Sequence, residues 1–379
     1  MSLLLPNELA LRDTGSLKWT GILTPDGMPT KGAWVAEMDF GTAPEIRDRL
    51  VRAVNEGMLG YNPPWLTDAV REATCTFQER RFGWVVEPSQ VRIASSVLGA
   101  LEATITQLTR PGSSVVVPTP AYMPFLTIPE KLGRKAVQVP SLPGWKLDLQ
   151  GIRAALEDGA GLVMLCNPWN PTGRVLTVAE LKELHDLVSG YDALVFADEI
   201  HSPLVYGDAS KFVSYASLGP TYAAHTVTAV AASKGWNIAG LPAAQVILPD
   251  NQLRDRWDRQ AAPFTHGATT FGLLGAATAY TLDDAWLDEV LAYISKNLDL
   301  ADEALAGTTI EYSRPEATYL TWWGWDRPDP AATLRKAGVG VNAGITLGAN
   351  YGNWARVNAA MPRPLWEETL ELAVAALRP

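Results

Sequence analysis

Short runs of β-branched residues alternate with longer helical patterns through the middle of the sequence, and this alternation constrains the fold more than any other feature. A series of βα units builds a mostly parallel sheet covered by helices. The predicted strands are Gln90–Ala94, Ser114–Val117, Gly161–Cys166, Ala193–Ala197 and Thr226–Ala231. The predicted helices between them include Val97–Thr109, Leu149–Glu157 and Val178–Ser189. We therefore expect an α/β fold.

Each predicted strand is followed by a polar or Gly/Pro-rich segment. These segments begin at Ser95, Pro118, Asn167, Asp198 and Ser233. In an open α/β sheet, ligands bind in the crevice beyond the carboxyl ends of the strands. The sequence therefore predicts that five loops converge on one binding site.

The last third of the sequence has a different, α+β pattern. A helical stretch runs from Phe271 to Leu305, and a final helix runs from Pro364 to Leu377. Between them we predict strands at Glu311–Ser313, Thr318–Trp323 and Val339–Asn342, and a helix at Pro330–Ala337. We predict a large mostly parallel-sheet α/β/α domain at residues 45–270, and a smaller α+β domain made of residues 1–44 and 271–379.

The composition argues against two classes of partner. The chain has 31 Lys and Arg against 41 Asp and Glu, a formal net charge of −10, without clustered basic residues. Because nucleic acids and anionic membranes attract such clusters, neither is an expected partner. No apolar run is long enough to span a bilayer, and the segment Met1–Pro6 lacks the regions of a signal peptide. We expect a cytoplasmic protein.

Metal and disulfide chemistry are not expected either. Cys75 and Cys166 lie far apart without a CxxC pair, and the four histidines show no ligand spacing. No GxxxxGK[ST] phosphate loop or GxSxG nucleophile elbow occurs. The run Gly338–Gly344 has the wrong spacing for a dinucleotide fingerprint and does not open a helix after a strand. The sequence therefore lacks the motifs that usually indicate nucleotide hydrolysis or α/β-hydrolase chemistry.

Three strand-end motifs remain. They are Asn167-Pro-Trp-Asn-Pro-Thr-Gly173, Asp198-Glu-Ile-His201 and Ser233-Lys234-Gly-Trp-Asn-Ile-Ala-Gly240-Leu241. Lys234 follows an apolar strand, where loss of solvation lowers the pKa of an amine and makes it a nucleophile. Asp198 ends another apolar strand, so its carboxylate is expected at the floor of the crevice. Taken alone, each residue also has an ordinary structural interpretation. Lys234 could be a surface lysine at a strand end, and Asp198 could cap a following helix.

Together, in this order and spacing, the motifs resemble the fold-type I pyridoxal 5′-phosphate (PLP) enzymes of the class I/II aminotransferase superfamily, over nearly the whole chain. The resemblance implies a PLP-dependent transferase-like fold, PLP as cofactor, an amino-acid substrate, and a homodimer with shared active sites. The catalytic residues that it implies are Lys234, Asp198 and Tyr122. The implied cofactor-binding residues are Lys234, Asp198, Asn170, His201, Tyr122, Ser96, Val97, Ser233 and, from a second copy of the chain, Tyr61. The implied substrate-binding residues are Arg356, Asp39 and Asn170.

These side chains also have structural alternatives. His201 and Tyr122 are equally interpretable as packed core residues, and Ser96 as a helix N-cap. Asn170 suits a turn beside a proline, and a single arginine such as Arg356 is most often a solvated surface residue. For these residues the motif context alone favours the functional interpretation.

Further segments resemble the cystathionine β-lyase and cysteine-S-conjugate β-lyase branch of MalY/PatB type. They are Lys18-Trp19, Trp34–Phe40, Gly60-Tyr61, Pro120–Phe125 and Asp198–Ser202. The branch commonly has Asp at the positions of Glu37 and Pro203. Many aminotransferases have a hydroxyl residue and an arginine where this chain has Ala231 and Pro242. Phosphate binding is therefore expected to depend on Ser96, Ser233 and Tyr61.

The branch implies a PLP-dependent carbon–sulfur β-lyase. Such an enzyme cleaves cystathionine or other S-substituted L-cysteines to a thiol, pyruvate and ammonia by α,β-elimination. In this mechanism Lys234 removes the Cα proton, Asp198 keeps the ring nitrogen protonated, and Arg356 holds the α-carboxylate. Two alternatives stay open, an aminotransferase of an L-amino acid and a PLP-binding regulatory protein with little turnover.

Overall fold

The computed structural model describes residues 3–378. Met1, Ser2 and Pro379, which belong to the predicted small domain, lie outside the described residues. The strands are β1 (Lys31–Gly32), β2 (Val91–Ala94), β3 (Val115–Thr119), β4 (Ala136–Pro140), β5 (Leu162–Cys166), β6 (Leu194–Asp198), β7 (Thr226–Val230), β8 (Ala244–Ile247), β9 (Glu311–Tyr312), β10 (Leu320–Gly324), β11 (Val339–Gly340), β12 (Asn342–Ala343) and β13 (Trp354–Asn358). The helices are α1 (Glu8–Asp13), α2 (Leu17–Thr20), α3 (Pro44–Asn55), α4 (Pro64–Phe82), α5 (Val97–Ala103), α6 (Met123–Lys131), α7 (Leu149–Glu157), α8 (Val178–Val188), α9 (Pro220–Ala223), α10 (Asn251–Arg256), α11 (Thr270–Thr281), α12 (Ala285–Leu305), α13 (Pro330–Lys336) and α14 (Arg363–Leu377).

A seven-stranded sheet with the order β2-β8-β7-β6-β5-β3-β4 forms the centre of the molecule. Strands β3 to β7 run parallel, and β8 lies antiparallel between β2 and β7. The predicted mostly parallel sheet is confirmed, and all five predicted strands belong to it. Strands β4 and β8 were not predicted. The first is a partly exposed edge strand that ends in Pro140, and the second has four residues that include the polar Gln245.

Helices cover both faces of this sheet. Along β5, Leu162 and Met164 pack into one hydrophobic core, while Val163 and Leu165 pack into another on the opposite face. This alternation follows from the two-residue period of a strand. Because both faces are buried, the strands are nearly continuous apolar runs. The α/β/α layering expected from the sequence is therefore confirmed.

Local capping determines where the helices after the strands begin. Thr177 and Glu180 form a reciprocal capping box at the start of α8, and Asp148 accepts two backbone N–H bonds at the start of α7. Ser96 caps α5, which continues directly into a π-helical turn at Thr104–Leu108. The predicted helix Val97–Thr109 is thus one helical segment that begins at the carboxyl end of β2.

The C-terminal third contains a four-stranded antiparallel sheet with the order β12-β13-β10-β9. Two predicted elements are each divided in the structure. The helical stretch Phe271–Leu305 is α11 and α12, because the chain becomes extended at Leu282. The strand Val339–Asn342 is β11, which pairs with β1, and β12, which pairs with β13.

Strand β1 joins the N-terminal segment to the C-terminal third through its pairing with β11. Helix α11 packs against both α3 and α4, and one hydrophobic core runs through these helices, α12 and α14. The division at residues 45–270 stays a prediction. Among residues 3–378, no helix combines the length and apolar character that crossing a bilayer requires.

Candidate active site

A cavity of about 290 Å³ lies at the carboxyl ends of the parallel strands. Five strand-end loops contribute to it, after β2, β3, β5, β6 and β7. Among the sequence-predicted site residues, those that line it are Ser96, Val97, Tyr122, Asn170, Asp198, His201, Ser233 and Lys234. The predicted convergence of five loops is therefore present in the fold, because parallel strands present their carboxyl ends at one edge of the sheet.

Lys234 follows β7, and its side chain is held by a backbone carbonyl. Its Nζ donates a hydrogen bond to Ala36 O at 2.8 Å. Burial lowers the pKa of Lys234 to about 8, helped by the positive charge of Arg356 and opposed by Glu37 and Asp198. A larger fraction of this amine than of an ordinary lysine is therefore uncharged near neutral pH, and the uncharged form acts as a nucleophile or base.

Asp198 is the last residue of β6, and its carboxylate lies at the floor of the cavity. Its Oδ1 accepts a hydrogen bond from Ile200 N at 3.0 Å. Burial raises the pKa of Asp198 to about 7, although the Ile200 bond and the charge of Lys234 act in the opposite direction. A cationic ligand group beside this carboxyl would stabilise its charged form. The floor of the cavity therefore suits a protonated nitrogen.

Glu199 is the next residue and its side chain lies outside the cavity lining. Its Oε1 accepts hydrogen bonds from Ser214 Oγ at 2.9 Å and from Tyr215 N at 3.1 Å. Burial raises the pKa of Glu199 to about 8. Two adjacent buried carboxyl groups thus have different surroundings, because successive side chains of a strand point to opposite faces.

His201 lines the cavity next to Ile200. Burial, together with the nearby charges of Lys234 and Arg356, lowers the pKa of His201 to about 3. The ring is therefore neutral at physiological pH. Its Nδ1 is buried and has no hydrogen-bond partner among the described residues. Buried polar atoms are rarely left unpaired, so this atom suits a hydrogen bond to a ligand.

Arg356 lies on β13 and is 3% exposed. Its Nη1 donates to Asn170 Oδ1 at 3.1 Å, and its Nη2 donates to Trp34 O at 3.0 Å and to Asn342 Oδ1 at 2.6 Å. Burial lowers the pKa of Arg356 to about 10, so it remains charged at neutral pH. The three acceptors are neutral, and buried charges are normally paired. The arrangement therefore favours an anionic ligand.

Hydroxyl groups and a helix start line another part of the cavity. Ser96 Oγ accepts a hydrogen bond from Gly99 N at 2.9 Å and so caps the helical segment 97–108. The hydroxyl hydrogen of Ser96 and the side chain of Ser233 are available to a ligand in the cavity. A helix start with such donors suits a phosphate group. Ala231 and Pro242, at the positions where the chain departs from the aminotransferase pattern, also line the cavity.

Tyr122 forms a side of the cavity immediately before α6. Its ring meets Phe125 edge to face, with centroids 5.6 Å apart. Burial raises the pKa of Tyr122, partly offset by Arg356, and the phenol is therefore neutral. A half-buried aromatic ring of this kind can stack on a planar ligand.

Two of the predicted site residues, Tyr61 and Asp39, lie outside the cavity lining. Tyr61 is fully exposed and does not line the cavity within one chain. Asp39 is buried, and both of its carboxylate oxygens are occupied: Oδ2 by Lys18 Nζ and Oδ1 by Trp19 Nε1, each at 2.9 Å. That Asp39 contacts substrate stays a prediction; in the structure its carboxylate is bonded to Lys18 and Trp19 and does not line the cavity.

The sequence analysis did not identify two groups beside Lys234. The carbonyl oxygen of Ala36 accepts the Lys234 bond and a second bond from Tyr319 Oη at 2.9 Å. A backbone carbonyl has no sequence signature, and Tyr319 is one of 11 tyrosines. The available signal was the Trp34–Phe40 motif, which resembles the lyase branch and contains Ala36. Within the described part of the chain, no group of three His, Cys, Asp or Glu side chains could hold a metal ion.

Comparisons with known proteins agree with this geometry. The chain is 34% identical over 377 residues to a cystathionine beta-lyase of Corynebacterium glutamicum, covering 98% of this chain and 99% of that protein. It is 32% identical to the cystathionine beta-lyase PatB of Bacillus subtilis, covering 96% and 97%. The crystal structure of a putative PLP-dependent beta-cystathionase from Corynebacterium diphtheriae superposes with a TM-score of 0.90 at 31% identity, over 99% of each chain.

The similarity extends through both sheets and all the residues that line the cavity. A sequence profile described as "Aminotransferase class I and II" matches residues 35–376, which include every strand from β2 to β13. The match therefore contains Lys234, Asp198 and Arg356 together with the strands that position them. This chain belongs to the aminotransferase class I and II family.

Proposed function

We propose that the protein is a PLP-dependent carbon–sulfur β-lyase that acts on cystathionine or another S-substituted L-cysteine. The observation that carries the proposal is one cavity lined by an amine of lowered pKa and a buried carboxyl group, beside the buried guanidinium of Arg356, which bonds to the lining residue Asn170. Similarity to cystathionine beta-lyases over nearly the full length of both chains supports this activity. The products would be a thiol, pyruvate and ammonia, with one water consumed.

The cavity residues fit pyridoxal 5′-phosphate. The Lys234 amine would hold the aldehyde carbon, Asp198 would face the ring nitrogen, and the unpartnered Nδ1 of His201 would meet a polar ring substituent together with Asn170. Ser96 and the start of the helical segment that it caps would receive the phosphate. Tyr122 offers a ring for stacking. When bound, the cofactor supplies an electron sink for charge that develops at the substrate Cα.

Side chains of this protein bind the substrate and transfer the proton. Arg356 binds the α-carboxylate, because a guanidinium forms paired, charge-assisted hydrogen bonds with a carboxylate. Lys234 takes the proton from Cα as a general base. The Ala36 carbonyl, which accepts one Lys234 hydrogen, orients the lone pair of this amine. Asp198 holds the proton on the ring nitrogen by charge and proximity.

A product assay with L-cystathionine tests the proposal. The PLP-loaded protein is incubated with L-cystathionine without any 2-oxo acid, and homocysteine, pyruvate and ammonia are measured. We expect the three products in equal amounts. A strict requirement for a 2-oxo acid would identify an aminotransferase instead. Cofactor binding without any product would identify a regulatory protein with little turnover.

We also propose a homodimer in which Tyr61 of each chain completes the cavity of the other. Tyr61 is fully exposed in one chain, and Leu59 and Trp65 beside it are exposed apolar side chains. Sedimentation should give twice the chain mass of 41.0 kDa. A Tyr61→Phe variant should bind PLP more weakly, because a phosphate contact is lost. A monomer with unchanged cofactor affinity would rule this out.

The cytoplasmic location stays a prediction.

A further inference from the structure

A short irregular segment, residues 34–39, here called the strap, lies across the cavity side of Lys234. The carbonyl oxygens of its residues Trp34 to Met38 each accept a hydrogen bond from a side chain elsewhere in the chain. Trp34 O accepts from Arg356, Val35 O from Asn358, Ala36 O from Lys234 and Tyr319, Glu37 O from Lys18 and Asn358, and Met38 O from Asn237. Five consecutive carbonyls are therefore held by side chains rather than by a strand or helix.

Two of these donors are the cations that the proposed reaction uses. Arg356 Nη2 donates to Trp34 O at 3.0 Å, and Lys234 Nζ donates to Ala36 O at 2.8 Å. The two acceptors are only two residues apart on the same backbone. The strap therefore determines where the amine lies relative to the guanidinium that would bind the substrate carboxylate.

A buried ion pair fixes the far end of the strap. Lys18 is 2% exposed and Asp39 is 6% exposed, and Lys18 Nζ lies 2.9 Å from Asp39 Oδ2. Lys18 Nζ also donates to Glu37 O at 3.1 Å and to Ala360 O at 3.0 Å. Neither charged group lines the cavity. Burying two charges has a desolvation cost, which is offset here by full hydrogen bonding of the lysine.

We propose that Lys18 and Asp39 are positioning residues for Lys234: their buried ion pair holds the strap where Ala36 O receives the Lys234 amine. This inference rests on the proposed role of Lys234 as the base. Loosening the strap misdirects the amine, and a displacement of about 1 Å in a reacting group costs up to roughly 10²-fold in rate. Substrate binding is less affected, because Arg356 keeps its bonds to Asn170 and Asn342.

The first test is Asp39→Asn in the PLP-loaded enzyme, which removes one charge while nearly preserving side-chain shape. We expect kcat for L-cystathionine to fall by about 10-fold or more while KM stays within about two-fold. The double variant Lys18→Met/Asp39→Asn removes both charges and avoids an unpaired buried lysine. It should also show a lower kcat with a nearly unchanged KM.

The matched control is Asp284→Asn. Asp284 pairs with the largely buried Arg81 at 3.0 Å and links α4 to α12 outside the cavity lining. This variant should lower the melting temperature as Asp39→Asn does, while its kcat stays at the wild-type value. A melting-temperature loss with unchanged kcat in both Asp39→Asn and the double variant would overturn the inference.

The second readout uses the cofactor-free protein and does not require activity. The amines are labelled competitively with acetic anhydride at several pH values, and the Lys234 peptide is quantified by mass spectrometry. In Asp39→Asn, water reaches the amine more easily, so its pKa rises and the midpoint of its pH-dependent labelling moves to higher pH than in wild type. Unchanged labelling overturns the inference even when kcat falls. Changed labelling in a protein without lyase activity would overturn the proposed function and leave the positioning role in place.

Discussion

Replacing Lys234 by alanine is expected to reduce pyruvate release from L-cystathionine by roughly 10⁴-fold, the upper range for loss of a general acid–base group. The reason is that Lys234 is the amine of the cavity with a lowered pKa, placed by its bond to Ala36 O. The measurement is the initial rate of pyruvate release by the PLP-loaded protein.

The Lys234→Ala result has two checks. Intact-mass analysis after borohydride treatment with PLP should show covalent retention of the cofactor by the wild type and none by the variant. Lys182→Ala, which changes an exposed lysine on α8, should keep both turnover and cofactor retention. Substantial pyruvate release by Lys234→Ala would contradict its assignment as the base.

Replacing Asp198 by asparagine is expected to lower kcat by about 10²- to 10³-fold, in the range found when a preorganised charge is removed from an active site. Asparagine has nearly the same shape, and its Oδ1 can keep the bond from Ile200 N. The change therefore removes the charge that would hold the ring nitrogen protonated, and little else. Steady-state kinetics with L-cystathionine and a cofactor-binding titration measure the effect.

The adjacent carboxyl group provides a matched control for this prediction. Glu199→Gln also replaces a buried carboxyl group by an amide, immediately after β6, and its Oε1 can still accept from Ser214 and Tyr215. We expect its kcat to stay within about two-fold of wild type. Equal reductions of kcat in Asp198→Asn and Glu199→Gln would mean that turnover depends on the loop conformation after β6 and not on a charge beside the cofactor.

Much of the site was predictable because it is built on strand ends. Lys234, Asp198 and Asn170 each follow an apolar run, and a parallel sheet brings the carboxyl ends of such runs to one edge. The helix that Ser96 caps was predictable for the same reason, since it begins where β2 ends. Strand β8 was not, because an antiparallel strand of four residues with a buried glutamine lacks a strong apolar pattern.

The strap and the role of Asp39 were not predictable. The motif Trp34–Phe40 stood out by resemblance, but its function depends on backbone carbonyls, which every residue has. The assignment of Asp39 to the substrate rested only on the resemblance of this motif to the lyase branch. The structure instead pairs it with Lys18, 21 residues earlier. No local pattern shows that a lysine on a four-residue helix will be fully buried.

The α/β class, the order of the strand-end motifs and the residue types available for cofactor chemistry can be read from the sequence alone, because they follow from local periodicity and from loops that must follow strands. Which groups meet depends on the tertiary structure. Arg356 of the C-terminal sheet bonds to Trp34, and Lys234, which follows a strand of the central sheet, bonds to Ala36; these contacts with the N-terminal segment span up to 322 residues. Such contacts depend on how the elements pack, and packing is a property of the whole folded chain.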